Sequence, residues 1–419
     1  APTLEAQADP TGLTISGAGT LGKLPVRASW RQEFGPDVNG RSALEGTVEL
    51  SQTFLDEFGI ALPPGSVTGS GVAQLKVDFA RDEAPEFLLT SDLNRVGLSL
   101  KELDWSKPRN QTGTLDVAGR FGKTPKIDRL ALSAPGMTAS GVIDLTPNGA
   151  LDIAQFDRVQ VGGWLDGPVT LTGRGNRAPA VAVNGGVIDL RKASFGPDGG
   201  GTAASSGGAA QEGGPMSLTL DRLIVSEGIS LTDFRGEFKA GGALEGRFVG
   251  RVNGAAAVEG SVVPTPSGGA IRLISSQAGD VLSAAGILRN ARGGTMDLTL
   301  NPTGQTGIYS GRLAILNTRI MQAPALTEML SAISIVGLLD QMNNGGISLS
   351  EIEAEFSLGP ERMTLYRSSA IGPSLGISLD GVYDLVNNRL DMQGVVSPVY
   401  FLNGIGQIFS RGKDGLFGF

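Results

Sequence analysis

Apolar and polar residues alternate with a period of two through most of this chain, most clearly in its last third. Met296, Leu298 and Leu300 alternate with Thr295, Asp297 and Thr299. Ala354, Phe356 and Leu358 alternate with Glu353, Glu355 and Ser357. Leu375, Ile377 and Leu379 alternate with Ser374, Gly376, Ser378 and Asp380. Successive strand side chains point to opposite sides, so each segment predicts a strand with one apolar and one solvated face. Similar short segments recur at Gly12–Gly17, Gly46–Leu50, Gly71–Phe79, Gly113–Ala118, Gly141–Leu145, Gly167–Leu171, Gly186–Leu190 and Gly246–Val252. Hairpin signals lie between such segments at Pro147-Asn148-Gly149, Asn184-Gly185-Gly186, Asp380-Gly381 and Asn387-Asn388. The spacing predicts roughly twenty to thirty strands, mostly antiparallel neighbours. An apolar-Asp-Arg-apolar pattern recurs at Ile127–Leu130, Phe156–Val159 and Leu220–Leu223, which reads as a weak internal repeat.

Four stretches change to helical spacing. Gln52–Phe58 has Ser51 as a candidate cap, and Asp280–Ala291 starts on an Asp and stops at Gly293-Gly294. Pro324–Met342 carries a broad apolar face with only Glu328 and Asp340 charged, and Pro398–Ser410 carries Leu402, Ile405, Ile408 and Phe409. Between the two halves, residues 196–215 are nearly all Gly, Ala, Ser and Pro, and are expected to form a flexible loop.

Composition narrows the chemistry. The 63 glycines, 5% aromatics and 18% charged residues suit short strands joined by tight turns, and 40% hydrophobic residues exceed what a disordered chain carries. The net charge of −8, without a run of Lys or Arg, argues against nucleic acid as a partner and against charge-driven docking on an anionic membrane. No cysteine is present, which excludes disulfides and thiolate metal sites. No histidine is present, which removes the commonest general base and metal ligand. No apolar stretch approaches the roughly twenty residues of a spanning helix. The chain begins Ala-Pro without an initiator Met and reads as an excised fragment.

No catalytic constellation emerges, so an enzyme is not expected, and no cofactor or metal site is identified. Gly17–Gly22 matches G-x-G-x-x-G, but Lys23–Val26 reads as a second strand. Without a helix N-terminus to receive a pyrophosphate, the match is a hairpin turn. Glu351, Glu353 and Glu355 read as a solvated strand face, and the acidic pairs Asp56/Glu57 and Asp82/Glu83 show no calcium-loop spacing. Serines such as Ser368 and Ser369 have no His to activate them.

The unresolved physical question is what covers the apolar faces. Four short helices cannot cover twenty or more strands, and an open flat sheet of that size is disfavoured. Sandwiches packed face to face, a β-helix closed on itself, and a curled sheet whose lining meets a ligand remain.

From Ser276 to Phe419 the chain resembles the AsmA-like C-terminal region of bacterial envelope proteins. The resemblance rests on Ala278-Gly279-Asp280-Val281-Leu282, Asn290-Ala291-Arg292-Gly293-Gly294, Ala323-Pro324-Ala325-Leu326, Ile335-Val336-Gly337-Leu338-Leu339, Ile371-Gly372-Pro373-Ser374-Leu375-Gly376, Ser397-Pro398 through Gly404-Ile405-Gly406, and Gly415-Leu416-Phe417-Gly418-Phe419. It covers about a third of the chain; residues 1–275 are similar to the family's preceding repeats only in style. Such proteins, with the similar TamB and YhdP, are implied to be anchored in the inner membrane and to extend through the periplasm. Their curled β-sheet forms an open apolar groove for phospholipid.

The combined expectation is a mainly β fold: an elongated, curled, mostly antiparallel sheet forming an open hydrophobic groove, with a few short amphipathic helices. Residues 1–195 would form N-terminal groove repeats, 196–215 the loop, and 216–419 the AsmA-like region, with helices near 280–291, 324–342 and 398–410. At about 4.8 Å per strand, twenty strands would extend on the order of 100 Å. The expected lining is Leu298, Leu300, Leu313, Ile315, Phe356, Leu358, Leu365, Leu375, Ile377, Leu379, Leu390 and Met392. The resemblance implies a periplasmic bridge-like lipid transfer protein that shields phospholipid acyl chains between inner and outer membrane in support of outer-membrane biogenesis. Its implied partners are phospholipid acyl chains, the inner membrane through an anchor outside this sequence, and outer-membrane proteins. The alternative is a structural or adhesive β-helix or sandwich envelope protein with a dry core.

Overall fold

In the computed structural model, which describes residues 4–398 except 36, 37, 39, 61, 194–212, 240–243, 306, 322–345, 374 and 388, strands dominate as the alternation predicts. The described residues fall into two compact units, one comprising residues up to 193 with 213–219 and the other residues 220 onward. The expected helices Pro324–Met342 and Pro398–Ser410 lie outside the described residues, apart from Pro398, which ends a strand. The expected 196–215 loop lies outside them too, except residues 213–215.

The first unit contains β1 (Leu4–Asp9), β2 (Gly12–Leu21), β3 (Leu24–Glu33), β4 (Ser42–Ser51), the helix α1 (Gln52–Glu57), β5 (Val67–Phe79), β6 (Glu86–Ser91), β7 (Val96–Leu100), β8 (Trp105–Lys107) and β9 (Thr114–Arg120). It continues with β10 (Lys126–Ala134), β11 (Met137–Leu145), β12 (Leu151–Val161), β13 (Leu165–Arg174), β14 (Arg177–Asn184), β15 (Val187–Asp189) and the first half of β16 (Pro215–Ser226). Sequential strands pair antiparallel from β1 to β5 and from β9 to β14, with β6 set between β5 and β9. The exception is β16, which lies parallel to β14, as a long returning connection permits.

The second unit holds β17 (Ile229–Lys239), β18 (Glu245–Val252), β19 (Ala256–Thr265), β20 (Gly268–Ser275), the helix α2 (Ala278–Ala284), β21 (Ala291–Arg292), β22 (Thr295–Pro302), β23 (Tyr309–Ile320), β24 (Ile347–Leu358), β25 (Arg362–Ile371), β26 (Leu375–Asp384) and β27 (Arg389–Pro398). Its long strands pair antiparallel in chain order from β17 to β20, then β20 with β22 and on to β27, while β21 pairs with β23.

The G-x-G-x-x-G match is a hairpin: Leu21 faces Leu24 across Gly22-Lys23, and Gly22 takes the positive φ the turn demands. Several other local expectations change. Asn184–Gly186 does not make a hairpin, because β15 pairs with β13 and not with β14. Asp380-Gly381 lies inside β26, where Gly381 has φ 144 and its missing Cβ lets the backbone of β27 approach. The helix expected at 280–291 is Ala278–Ala284, because the chain needs residues 291–292 as a strand beside β23. Its N-cap is Gln277, with Asp280 in the first turn 3.9 Å from Arg292. Ser51 occupies the cap position of α1 but makes no capping bond; its hydroxyl is buried without a partner.

The Asp-Arg pattern has a structural reason. In β10, Asp128 and Arg129 together oppose one residue of β11, and in β12, Asp157 and Arg158 do so against β13. Each is a β-bulge, so both charged residues face solvent while the flanking apolar residues share the opposite face. Asp221 and Arg222 in β16 repeat the same double exposure between buried Leu220 and half-buried Leu223. Tyr366 and Arg367 do so in β25, where the register also shifts. Bulges bend and twist strands, so the dipeptides of β10, β12 and β25 mark bends in the sheets.

Candidate functional site: an apolar sheet face

Directly opposed residues in an antiparallel ladder share a face, so register extends a strand's alternation across the sheet. In the second unit Ile271, Leu300, Gly311, Phe356, Leu365, Gly381 and Met392 form one such row. Pro302, Tyr309, Leu358, Met363, Tyr383 and Leu390 form another. A third runs Met296, Ile315, Ile352, Ala370, Ile377 and Val396, and a fourth Leu273, Leu298, Leu313, Ala354 and Ser368. Leu375 and Leu379 lie two positions to either side of Ile377 on β26, so their backbone positions belong to the same face. All twelve residues expected to line a groove therefore occupy one face; the side chain of Leu375 lies outside what is described.

That face is not uniform. Ile315 is fully buried and Phe356 is 8% exposed, so protein, not open space, surrounds these two. The ring of Phe356 lies over Gly311, where an added Cβ would collide with it. Phe248 covers Gly260 in the same way, and Phe238 covers Gly246. An aromatic laid over a cross-strand glycine fills the hollow that glycine leaves. Leu298, Leu300, Leu313, Leu358, Leu365, Ile377 and Met392 are half-buried, whereas Leu379 and Leu390 are exposed, at 39% and 69%. The list from sequence omits Met296, Tyr309, Ile352, Met363, Tyr383 and Val396, which register places on the same face. Alternation within single strands could have nominated Met296 and Ile352; Tyr309 and Tyr383 emerge only from pairing.

Among the described residues, cover is concentrated at one end. There α2 packs against β19, β21, β22 and β23, burying Val281 and Leu282. Beside it, Ile320, Ile347 and Leu349 form a cluster joined by Leu288, Ile352, Ile377 and Val396.

The first unit follows the same plan. Leu75, Leu89, Val117, Leu130, Gly141, Phe156, Val169, Val183 and Leu218 form a row across nine paired strands. One end is covered by α1 and the β7–β8 hairpin, which bury Phe54, Leu55, Leu93 and Val96 with Leu24, Val48 and Ala73. Lys107 is buried here and donates its ammonium to the carbonyls of Leu93 at 2.8 Å and Val96 at 2.7 Å. Burial pushes its pKa below the ordinary lysine value, with Asp92 opposing. Towards the other end Trp30, Leu44, Phe87, Ile127 and Ile143 remain half-buried.

The opposite faces carry cross-strand ion pairs. Arg120 meets Asp128 at 2.9 Å, Arg129 meets Asp116 at 2.8 Å, Arg158 meets Asp166 at 2.8 Å, and Arg272 meets Asp297 at 2.5 Å. Hydrogen bonds from Arg158 and Gln160 hold the Asp166 pKa down to about 2, and Arg272 lowers that of Asp297. The Glu351–Glu355 face is of this kind, with Glu355 3.4 Å from Arg312. Among the described residues no acidic cluster is disposed to hold a metal ion, and no helix is long and apolar enough to cross a membrane.

No family model matches the chain, and no curated protein or solved structure matches it either.

Proposed function

We propose that the apolar sheet face binds the acyl chains of phospholipid, and that the chain is part of a periplasmic bridge-like lipid transfer protein. The observation carrying this reading is the row-by-row continuity of apolar side chains across one face of β20 and β22–β27, many of them half-buried or exposed. Burial of an acyl chain there would favour binding by roughly 0.8 kcal/mol per methylene, with no need for catalytic groups or a cofactor. The sequence resemblance supplies the setting: anchorage to the inner membrane by a segment outside this sequence, outer-membrane proteins as partners, and a role in outer-membrane biogenesis.

Organic extraction of the purified protein followed by mass spectrometry is expected to recover phospholipid. Leu300→Asp, on the apolar face, is expected to abolish recovery, and Thr299→Asp, on the opposite face of the same strand, to leave it intact. Equal effects of the two changes would refute the face assignment. A folded protein repeatedly free of lipid would favour a structural envelope protein with a dry interior, a reading to which buried Ile315 and Phe356 lend some weight.

A further inference from the structure

We infer that Asn253 latches α2 over one end of the apolar face and so sets how much of that face a lipid chain can reach, an inference that rests on the lipid-binding reading above. A helix of seven residues has little stability of its own, and its last carbonyls have no partners within it. Asn253, in the turn between β18 and β19, supplies one from outside. Its Nδ2 donates to the Ala284 carbonyl at 2.8 Å and to the Gly228 carbonyl at 2.8 Å. Its Oδ1 accepts from the Ser230 amide at 2.9 Å and the Ser230 hydroxyl at 3.0 Å. The amide thus uses both its donors and its acceptor to join three segments. Its backbone is left-handed at φ 46, a conformation that Asn and Asp adopt more readily than most residues.

The other end of α2 is held differently. Ala278 and Gly279 donate their amides to the Gly294 and Gly293 carbonyls, at 2.9 and 2.7 Å. Both of those glycines have positive φ. Loss of the Asn253 tie would free the C-terminal end of the helix to swing about this glycine pair. The strands beneath α2 include β22 and β23, which carry Met296 at 5% exposure and Ile315 at 0%. Displacing the helix would uncover the parts of β22 and β23 against which it packs.

Asn253→Asp tests the latch in the full chain. Aspartate keeps the acceptor for Ser230 and tolerates the left-handed backbone, but it has no N–H, and its charge faces a carbonyl at the negative end of the helix. Amide exchange across residues 279–285 is expected to accelerate about tenfold. The apparent affinity for cis-parinaric acid, a fluorescent fatty acid, should tighten about tenfold as the open population grows. Ser230→Ala, which spares the tie to Ala284, is expected to change neither. Unchanged exchange in Asn253→Asp, or faster exchange with unchanged affinity, overturns the latch. The wild-type affinity judges the lipid reading separately: a wild type that binds no probe removes that reading, while the exchange rate of residues 279–285 in Asn253→Asp still decides whether Asn253 holds the helix.

Discussion

In the first unit the apolar face ends beneath α1 and the β7–β8 hairpin, and ten buried side chains from β3 to β7 and α1 interlock there, with the Lys107 ammonium sealed among carbonyls beside them. In the second it ends beneath α2, seven residues tied at one end by backbone hydrogen bonds and at the other by an asparagine side chain. Both units cover an end by interrupting the meander after a strand, β4 in one and β20 in the other. They differ in how much protein they commit to it. The first cover is continuous with the core of its unit, so it can open only if that core opens. The second has a hinge and a latch, so it can open alone. Cooperativity therefore resides in shared side-chain contacts, and a short helix joined to the sheet through a hinge and a latch forms a local unit of stability.

The largest expected effect comes from breaking the first cover. Lys107→Met takes the ammonium donor from the buried Leu93 and Val96 carbonyls, leaving that of Leu93 only the longer bond from the Val96 amide at 3.3 Å, and should cost about 3 kcal/mol. Denaturant melts are expected to show the loss across the whole first unit, with amides of β4, β5 and α1 losing protection together. Loss confined to β7 and β8 would erase the contrast between the two covers.

Leu282→Ala, in α2, removes a buried side chain at a site that can collapse or detach, and should cost about 2 kcal/mol locally. Hydrogen exchange should accelerate in residues 278–285 while β22–β24 keep their protection. Global destabilisation of the second unit would show that α2 belongs to its core after all.

The smallest effect is expected on the solvated face. Asp166 has a pKa of about 2 in the fold against an ordinary 3.8, so its contribution is fully present above pH 3.8 and fades as pH falls towards 2. Asp166 and Arg158 are 44% and 61% exposed, so solvent screens most of the interaction. Asp166→Asn should flatten the acid limb of the stability curve slightly and shift the neutral midpoint far less than either cover variant. A loss as large as that of Lys107→Met would mean that the ion pairs, and not the covers, hold the first unit together.

Much of this was legible in the chain. Every alternating segment named from sequence lies wholly or largely in a strand, the nucleotide-like glycine motif is a turn, and α1 and α2 begin within two residues of their expected starts. The Asp-Arg dipeptides were visible as a pattern, but their meaning as bulges was not, because a bulge is defined by the residue it faces on another strand. The shortened α2 and the absent Asn184–Gly186 hairpin fail for the same reason: Ala291 and Val187 are claimed by strands distant in sequence.

By itself the sequence determined which residues share a side of each strand, since a period of two is a property of the extended backbone alone. It also excluded thiol and imidazole chemistry, since neither residue is present. Only the tertiary structure decided that those sides join into continuous faces, because register depends on pairing between segments tens of residues apart. It alone decided that Ile315 and Phe356 are enclosed while Leu390 is open, because burial depends on which neighbour arrives: a glycine opposite the ring for Phe356, and solvent for Leu390.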